Sequence, residues 1–479
     1  MRRLEFFAKL CALVGLLVLS FVVSVYAQDA PTGSGTPARS ATPYTPRPAQ
    51  QSAGAPPATA PAEAVNPAPA PVPLNAVEPQ TSGRARPQRM APLRSGAGGR
   101  LTLGALLPLS GPLSAQGQMS KAAIDLAVED VNAYLAAGGS SERLSVQVED
   151  TAGNEATALE RLKNLAASGV RLVVGPYSDD EVDGVLDFAT QNNIMFLSQG
   201  SSGPYLAKPG RGNLLRFAPS DAYQAEAIAA LANQEGATQL VTIWAGSRYG
   251  DELVTHVKGQ FTNLGGKIIA GTRFKPETTQ FANFVADLRA QVSKEAGDKK
   301  NLAIFVAARG DQTAAILREA AKFPELAEAR WYGSDGAALS DAISRDPEAA
   351  RFVAQSGMAF ARYGETGTAF YSRIGKRIGA RIQTAADAVD AHAVLAYDIT
   401  WLAAIGAMTS SAPTKQSLSM LAERTYGASG WMALNENGDR RENYDFDFWT
   451  IQNSDWVIAA RYQSDPGNDK QLLMNRPEK

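Results

Sequence analysis

From Leu101 onward the sequence alternates short apolar runs with stretches of helical periodicity, and this alternation restricts the fold more than any other feature. Residues 101–109 are apolar on both faces and end at the turn Ser110-Gly111-Pro112, which is typical of a buried parallel strand. Residues 122–134 then carry apolar side chains three and four positions apart, as an amphipathic helix does. The alternation continues to Phe323 and predicts βαβ units around mainly parallel sheets.

The alternation forms two series, one before and one after roughly Pro219. About 370 residues follow the N-terminal segments, which is more than a single core usually holds, so we expect two α/β lobes. A long helix is predicted at residues 385–407. The sequence after Tyr426 favours strands, namely at residues 430–434, 444–451 and 456–462.

The N-terminus has the pattern of an export signal. Three basic residues within the first nine positions precede an uncharged apolar run at residues 10–24, and Val25 and Ala27 suit the −3 and −1 positions of a cleavage site. We predict a signal peptide at residues 1–27 that is cleaved on export to the periplasm; an uncleaved inner-membrane anchor is the alternative. Cys11, the one cysteine of the chain, lies within this peptide, so the exported form would contain no thiol.

Residues 28–100 are predicted to form a disordered linker rich in proline and alanine. They hold 15 of the 27 prolines, which remove backbone donors and disfavour helix. No regularly spaced apolar residues offset the entropy of ordering. The last part carries five arginines without an acidic residue, so contact with anionic lipid or cell-wall polymer and simple solvation of the tract both stay open.

The composition excludes several classes of function. Lys+Arg 46 against Asp+Glu 48 gives a formal net charge of −2, so we expect no nucleic-acid partner. With one cysteine and two histidines, His256 and His392, both inside helical patterns, we expect neither a metal site nor a cofactor. The sequence contains no Gly-x-Ser-x-Gly, His-Glu-x-x-His or Gly-x-x-x-x-Gly-Lys motif, so we predict that the protein is not an enzyme.

Ligands of open α/β sheets bind beyond the carboxyl ends of the strands. In this sequence those segments are rich in glycine, serine, tyrosine and aspartate, and they comprise residues 108–117, 175–180, 198–205, 245–249, 307–311 and 333–336. Main-chain NH groups, hydroxyls and a tyrosine ring suit a cleft for a small polar molecule. Ordinary βα turns have the same composition, so periodicity alone does not decide between the two interpretations.

Several short stretches between about Leu101 and Tyr462 carry a family resemblance. They are residues 103–112 (Leu-Gly-Ala-Leu-Leu-Pro-Leu-Ser-Gly-Pro), 148–151 (Val-Glu-Asp-Thr), 173–176 (Val-Val-Gly-Pro), 216–221 (Arg-Phe-Ala-Pro-Ser-Asp), 249–250 (Tyr-Gly), 333–336 (Gly-Ser-Asp-Gly), 396–398 (Ala-Tyr-Asp) and 427–430 (Gly-Ala-Ser-Gly) followed by 437–439 (Asn-Gly-Asp). In this order they resemble the type I periplasmic binding proteins, and within these the leucine/isoleucine/valine-binding proteins of branched-chain amino-acid importers.

The resemblance implies two Rossmann-like lobes with mainly parallel sheets, joined by three hinge crossovers. It places residues 101–219 and 360–440 in the first lobe and residues 220–359 and 441–466 in the second, and it leaves residues 467–479 as a flexible tail. The two lobes are expected to close on a ligand about the hinge.

The resemblance also implies a function. We expect a periplasmic protein that captures a small polar solute, such as an amino acid or an amide, in the cleft between the lobes and presents it to an inner-membrane ABC permease. The alternative is an interaction protein that uses the same fold to regulate a partner such as a peptidoglycan synthase. The long linker favours this alternative, because such an arm could reach through the cell wall.

The resemblance further implies which residues contact a ligand, and these are Tyr177, Ser178, Asp179, Ser198, Gly200, Ser202, Tyr249, Arg309 and Asp335. It makes Tyr249 the cleft tyrosine of the second lobe and Asp335 the acid that pairs with a ligand ammonium. Packing is the alternative role for Tyr249, and a turn is the alternative role for Asp335. Arg309 is expected to pair with Asp179 or with a ligand anion.

Asp179 is the main departure from the family pattern. Relatives typically have a serine at this position that receives an amino-acid carboxylate, whereas an aspartate would repel one. If Asp179 points into the cleft, it favours a cationic or hydroxyl-rich ligand. The alternative is that Asp179 is the N-cap of the helix that follows, since aspartate is a preferred cap.

Overall fold

A computed structural model describes residues 100–207, 212–295, 299–364, 368–384, 389–410, 412–441, 445–463 and 470–475. The predicted signal peptide and all but the last residue of the predicted linker lie outside the described residues.

Strands and helices alternate through most of the described chain, which ends in five successive strands. The strands are β1 (Arg100–Leu107), β2 (Arg143–Asp150), β3 (Leu172–Val174), β4 (Met195–Ser198), β5 (Leu214–Arg216), β6 (Gln239–Ala245), β7 (Lys267–Phe274), β8 (Leu302–Ala307), β9 (Arg330–Gly333), β10 (Ala359–Tyr363), β11 (Tyr426–Gly427), β12 (Gly430–Trp431), β13 (Phe446–Gln452), β14 (Asp455–Gln463) and β15 (Gln471–Met474). The helices are α1 (Ser114–Ala137), α2 (Glu155–Ala167), α3 (Asp179–Gln191), α4 (Asp221–Gln234), α5 (Arg248–Asn263), α6 (Ala282–Glu295), α7 (Gly310–Ala320), α8 (Asp341–Ser344), α9 (Pro347–Ser356), α10 (Ala369–Ile382), α11 (Ala391–Thr409) and α12 (Lys415–Ala422).

Two sheets organise these elements. The first has the order β2-β1-β3-β4-β5 and is parallel throughout. The second has the order β15-β14-β13-β10-β9-β8-β6-β7. Strands β6 to β10 are parallel to one another, and β13, β14 and β15 pair in antiparallel fashion. The predicted α/β fold with two mainly parallel sheets is confirmed. Each parallel set repeats the doubly wound order 2-1-3-4-5, which places a topological switch point between β1 and β3 and another between β6 and β8.

The central strands are buried on both faces, which explains why their sequences read as continuous apolar runs. All three residues of β3 and all six of β8 are buried. Helices α10, α11 and α12 come late in the chain but pack on the first sheet and its helices. We call the first sheet with its helices lobe 1 and the second sheet with its helices lobe 2. We propose residues 101–219 and 364–440 for lobe 1, since β10 lies in the second sheet.

Periodicity predicts every strand and helix between residues 101 and 323 except the three-residue β5. After Phe323 it predicts α11, β12, β13 and β14, and it misses the helices α8, α9, α10 and α12 and the strands β9, β10, β11 and β15. All five residues of β10 are buried, yet the strand contains Arg362, which is 7% exposed and breaks the apolar run. The predicted flexible tail also differs from the structure, because β15 pairs with β14 and places Leu472 and Met474 against the core.

Helix α11 is the predicted long helix, and residues 385–388 of the prediction lie outside the described residues. Among the described residues it is the one helix long and apolar enough to span a membrane, but 72% of that span is buried inside the fold. It also contains Asp398, which accepts hydrogen bonds from Ala428 N–H at 2.9 Å and Ser429 N–H at 2.7 Å. We therefore interpret α11 as the core helix of lobe 1.

The chain passes between the sheets three times: between β5 and α4, between β10 and α10, and between Arg440 and β13. The guanidinium of Arg440 joins these passages. It donates to Phe217 O at 3.3 Å in the first passage and to the Tyr363 hydroxyl at the start of the second. It also donates to Ser429 O at 2.6 Å and is only 5% exposed. The three passages are thus held side by side, as a hinge requires.

We predict that Arg440→Met lowers the free energy of unfolding by about 3–5 kcal/mol, because it leaves several buried acceptors without a donor. Urea denaturation followed by circular dichroism measures this change. The neighbouring Arg441 is 53% exposed and pairs with Glu423 on the surface, so Arg441→Met is the matched control and should cost less than about 1 kcal/mol. Equal losses in the two variants would contradict the role of Arg440.

Candidate functional site

The loops at the carboxyl ends of the parallel strands carry most of the predicted site residues. In lobe 1, Tyr177 follows β3 and Ser202 follows β4. In lobe 2, Tyr249 follows β6 and Asp335 follows β9. Because both sheets have their switch point at such an edge, these loops are where a ligand of this fold would be bound.

On the lobe 2 side, Tyr249 and Asp335 form a hydrogen-bonded pair. The Tyr249 hydroxyl donates to Asp335 Oδ1, and Asp335 N–H donates to Gln224 Oε1 at 3.2 Å. Tyr249 is held at the start of α5, where a Cβ on the next residue, Gly250, would lie 2.1 Å from Ala245 O. Only glycine therefore allows the tight turn that brings Tyr249 to the strand ends.

On the lobe 1 side, Tyr177 meets the start of α11. Its hydroxyl donates to Asp390 Oδ2 at 2.8 Å, and its ring lies edge-on to His392 with centroids 5.7 Å apart. Asp390 also caps the helix, since its Oδ1 accepts from His392 N–H at 3.0 Å and lies 3.0 Å from His392 Nδ1. Burial opposes charge on the imidazole, but the carboxylate of Asp390 outweighs it and raises the pKa of His392.

The two sides lie close enough for the charge of Asp335 in lobe 2 to act on Tyr177 in lobe 1, and we call the polar region between them the crevice. Burial raises the pKa of the Tyr177 hydroxyl well above its usual range, and the charges of Asp390 and of Asp335 add to the effect. Burial likewise raises the pKa of Tyr249, with Asp335 and Asp221 adding to it. Since Asp335 belongs to lobe 2 and Tyr177 to lobe 1, the structure brings these predicted site residues together.

Asp221 lies in the same crevice and was not among the predicted residues. It opens α4 and is 1% exposed, and its N–H donates to Ser202 O at 3.0 Å. Its Oδ2 has no hydrogen-bond partner among the described residues. Burial raises the pKa of Asp221 well above its usual range, and the charges of Asp335 and Asp179 raise it further. The crevice therefore contains a buried carboxyl group that stays protonated more readily than a normal aspartate.

Asp179 holds a loop of lobe 1 in place. It is 7% exposed, its Oδ1 accepts from Ser201 Oγ at 2.5 Å, and its two oxygens accept from Gly203 N–H at 3.1 and 3.0 Å. Burial raises the pKa of Asp179, while the Ser201 hydrogen bond and the charge of Arg216 oppose this rise. The carboxylate thus has its partners within the loop, and we propose that it does not contact the ligand.

Ser198 and Gly200 shape the same loop. Ser198 is fully buried; its Oγ donates to Pro176 O at 2.7 Å and accepts from Ser201 N–H at 3.1 Å. A Cβ on Gly200 would lie 2.6 Å from Tyr177 O, so the loop passes close against Tyr177. The contacts of Ser198 and Gly200 thus fix the positions of the neighbouring residues Tyr177 and Ser202.

Two further predicted residues lie at helix starts. Ser178, rather than Asp179, is the N-cap of α3, and it forms a capping box with Glu181. Arg309 precedes α7 and pairs with Asp311, with N–O distances of 3.2 and 3.0 Å. The expected pairing of Arg309 with Asp179 is therefore wrong, because a nearer carboxylate in its own helix takes the guanidinium.

Asp221, Asp390 and His392 were missed as site residues for different reasons. Asp221 ends the Pro-Ser-Asp motif, which signals only a helix start in the sequence. His392 was predicted to be structural or exposed because it fits a helical pattern, and Asp390 precedes that helix. A polar pair directly at the start of a buried helix is the signal that could have found them, because helix starts of an α/β fold lie at the binding edge.

A second contact between the lobes lies at the rim of the crevice. Arg248 of lobe 2 pairs with Asp180 at 3.2 Å and with Asp183 at 2.9 Å, both on α3 of lobe 1. Its guanidinium also lies over the Tyr205 ring, 4.5 Å from the centroid. Tyr205 N–H donates to Glu252 Oε2 at 3.3 Å. We call these five residues the rim latch, because they join the two lobes on the side of the crevice.

We predict that the buried carboxyl of Asp221 makes stability depend on pH. Its pKa is raised in the folded state, so its contribution is fully present below the unfolded pKa of about 3.9 and is lost as the pH rises through the folded pKa. Asp221→Asn removes this loss. Between pH 4 and pH 8, urea denaturation should show the variant gaining more than about 1 kcal/mol relative to wild type. A difference that does not change with pH would contradict the assignment; Asp311→Asn serves as the exposed control.

Comparison with known proteins places the chain in a family. The family model of the receptor family ligand binding region matches residues 119–454. An uncharacterized protein of Methanocaldococcus jannaschii is 23% identical over 388 residues, which cover 77% of this chain and 90% of that protein. The Leu/Ile/Val-binding protein BraC3 of Rhizobium johnstonii is 30% identical over 129 residues, which cover 27% of this chain and 35% of BraC3.

Solved structures agree in fold. The leucine binding protein LivK of Thermotoga maritima has a TM-score of 0.62 at 18% identity and covers 75% of this chain and 98% of its own. LivJ of Streptococcus pneumoniae, in complex with isoleucine, has a TM-score of 0.62 at 19% identity, covering 78% and 100%. A solute binding protein of an ABC transporter from Rhodopseudomonas palustris, in complex with 3,4-dihydroxybenzoic acid, has a TM-score of 0.62 at 15% identity, covering 76% and 97%. This chain belongs to the receptor family ligand binding region and has the fold of the type I periplasmic, leucine-binding proteins.

Proposed function

We propose that this protein captures a small solute with an ammonium group, such as an amino acid, in the crevice between its lobes and delivers it to an inner-membrane ABC permease. The observation that carries the proposal is the pair of acids Asp335 and Asp221 beside Tyr249. Asp221 is almost fully buried, and each of the two carboxyl groups acts on its neighbours from within the same crevice.

An ammonium group would supply a positive charge beside Asp335 and Asp221 and a hydrogen-bond donor to Asp221 Oδ2, which has no partner among the described residues. A buried carboxyl oxygen without a partner costs free energy, and so do two acids held close together. A cationic N–H donor between Asp335 and Asp221 would supply hydrogen bonds to both and remove their repulsion. Solutes that bear such a group are therefore favoured over neutral or anionic ones of the same size.

The loop after β4 is compatible with a carboxylate on the same solute. Aspartate at position 179 would repel a ligand carboxylate if it faced the crevice, but its oxygens accept hydrogen bonds from Ser201 and Gly203 instead. Small residues at Gly200 and Ser202 leave main-chain NH groups near the strand ends, and the Ser202 hydroxyl hydrogen-bonds Asp221 beside them. An α-amino acid, with one cationic and one anionic group, fits this distribution of charge.

Closure of the lobes is the mechanism we propose. The closed arrangement is the one in which Tyr177 and His392 of lobe 1 approach Tyr249 and Asp335 of lobe 2, so a solute between them gains contacts from both sides. A ligand that binds this arrangement better shifts the protein toward it. The rim latch adds favourable contacts to the same closed state.

The predicted signal peptide at residues 1–27 supports a periplasmic location, and we propose that the protein acts there as a binding protein without cofactor or catalytic activity. Among the relatives, BraC3 is a Leu/Ile/Val-binding protein, and BasB of Halobacterium salinarum is a chemotactic substrate-binding protein. Structural neighbours are in complex with isoleucine or with aromatic acids. The length of the predicted linker is the one feature that favours the alternative of a peptidoglycan synthase regulator, and the relatives compared above do not support that alternative.

A thermal-shift screen of the twenty amino acids, of small amides and of polyamines tests the proposal. Anything that binds the native state alone raises the melting temperature, so we expect at least one amino acid to do so. Asp335→Asn should weaken its binding by about 30-fold or more, since it removes one partner of a buried charge pair. Asp287→Asn, on an exposed carboxylate within α6, should leave the affinity unchanged. No shift with any amino acid, amide or polyamine would contradict the proposed function.

The rim latch generates a second test. Arg248→Gln should weaken ligand affinity by about three- to tenfold while leaving the crevice residues in place, because it removes contacts made between the lobes. The wild-type affinity should also fall as salt is raised, and the variant should lose most of this dependence. The control is Arg345→Gln, which breaks an exposed pair with Asp341 on one helix. If both variants bind as wild type does, the latch does not stabilise closure.

A further inference from the structure

The imidazole of His392 lies between two tyrosine rings at the crevice. Ring centroids are 5.7 Å apart for Tyr177 and 6.4 Å apart for Tyr363, and the His392 side chain is 13% exposed. Charged groups from other elements act on it: Asp335 from lobe 2 and Arg362 from β10. If Asp335 holds the ammonium group of a solute, the other end of that solute would therefore lie near His392.

Asp390 determines which ring nitrogen of His392 can meet a ligand. A carboxylate only accepts, so Nδ1, 3.0 Å from Asp390 Oδ1, carries a hydrogen. The Tyr177 hydroxyl gives its hydrogen to Asp390 Oδ2 and lies 3.3 Å from Nδ1. Both partners therefore hold the ring by one edge, and Nε2 lies at the other edge. When the ring is charged, Nε2 is a second donor.

The surroundings favour the charged ring. Burial opposes it, but the adjacent Asp390 carboxylate outweighs burial and raises the pKa of His392, with a smaller contribution from Asp335; Arg362 acts in the opposite sense. The hydrogen bond from Nδ1 to Asp390 is present in the neutral and in the charged ring, so Nε2 is the atom that gains the proton when the ring becomes charged.

We propose that His392 determines ligand specificity by donating from Nε2 to the terminal oxygen of a ligand side chain, so that the solute is an amino acid ending in a carboxamide or a carboxylate. The inference rests on the proposed function, which places the ammonium group at Asp335 and Asp221.

An aliphatic side chain fits this place poorly. It would cover the Tyr177 hydroxyl, Asp390 and His392 with CH groups and leave Nε2–H without an acceptor, which costs the desolvation of a charged donor. A site built to hydrogen-bond a ligand group discriminates strongly against the analogue that lacks it. Tyr177, Asp390 and His392 would therefore disfavour an aliphatic side chain, which leaves the Nε2–H group without an acceptor, and would favour a side chain that hydrogen-bonds to His392.

Isothermal titration calorimetry of the full chain with L-glutamine, L-glutamate and L-leucine tests the proposal. We expect L-glutamine or L-glutamate to bind about tenfold or more tightly than L-leucine, the value of one charge-assisted hydrogen bond. His392→Phe should abolish this preference and leave L-leucine affinity within about threefold of wild type. His392→Gln keeps an N–H donor and should retain part of the preference. His256→Phe, on the other histidine, is the matched control.

The outcomes separate this inference from the function on which it rests. If L-leucine binds as tightly as L-glutamine and L-glutamate, or if His392→Phe leaves the ratio unchanged, His392 does not set specificity, although loss of binding in Asp335→Asn would still support an amino-acid site. If none of the twenty amino acids binds, this inference fails; if no amide or polyamine binds either, the proposed function fails with it. If His392→Phe melts at a much lower temperature, the His392→Gln titration decides.

Discussion

The hydrogen bonds of the Arg440 guanidinium hold together the passages that connect the two lobes. The chain leaves and re-enters each lobe through three passages, and Arg440 reaches Phe217 and Tyr363 in two of them while itself beginning the third. Three adjacent connections restrict the lobes to opening and closing about one axis. The loops that line the crevice lie at the carboxyl ends of the parallel strands of both sheets, and under the proposed closure each lobe would move as one α/β core about these passages.

The chemistry of the crevice follows from what these loops place there. Lobe 2 presents Tyr249 with Asp335, lobe 1 presents Tyr177 with His392, and Asp221 lies buried beside them. Excess acid in a partly desolvated space is unfavourable until a cation enters it. The features that make the crevice unfavourable by itself are thus the ones that would favour a solute with an ammonium group, and under the proposed function they would couple binding to closure.

Periodicity and the family resemblance together predict the two sheets and most of their parallel strands, but not β5, β9 and β10. They predicted Tyr249 and Asp335 as neighbours of a ligand, a role that stays a proposal. The strand containing Arg362 was missed because the charge interrupts an apolar run, and its burial depends on tertiary contacts. The direction of Asp179 was likewise not readable, since it depends on where Ser201 and the Gly203 N–H lie in a loop 22 to 24 residues away.

The distance between the lobes, measured with and without ligand, tests directly whether the crevice closes on a solute. The sequence contains one cysteine, so spin labels can be placed by Asn164→Cys on α2 of lobe 1 and Ser293→Cys on α6 of lobe 2 in a Cys11→Ser background. Pulsed electron paramagnetic resonance should show a shorter and narrower distance distribution when the amino acid with the largest thermal shift is added. An unchanged distribution at saturating ligand would contradict closure of the crevice on a solute.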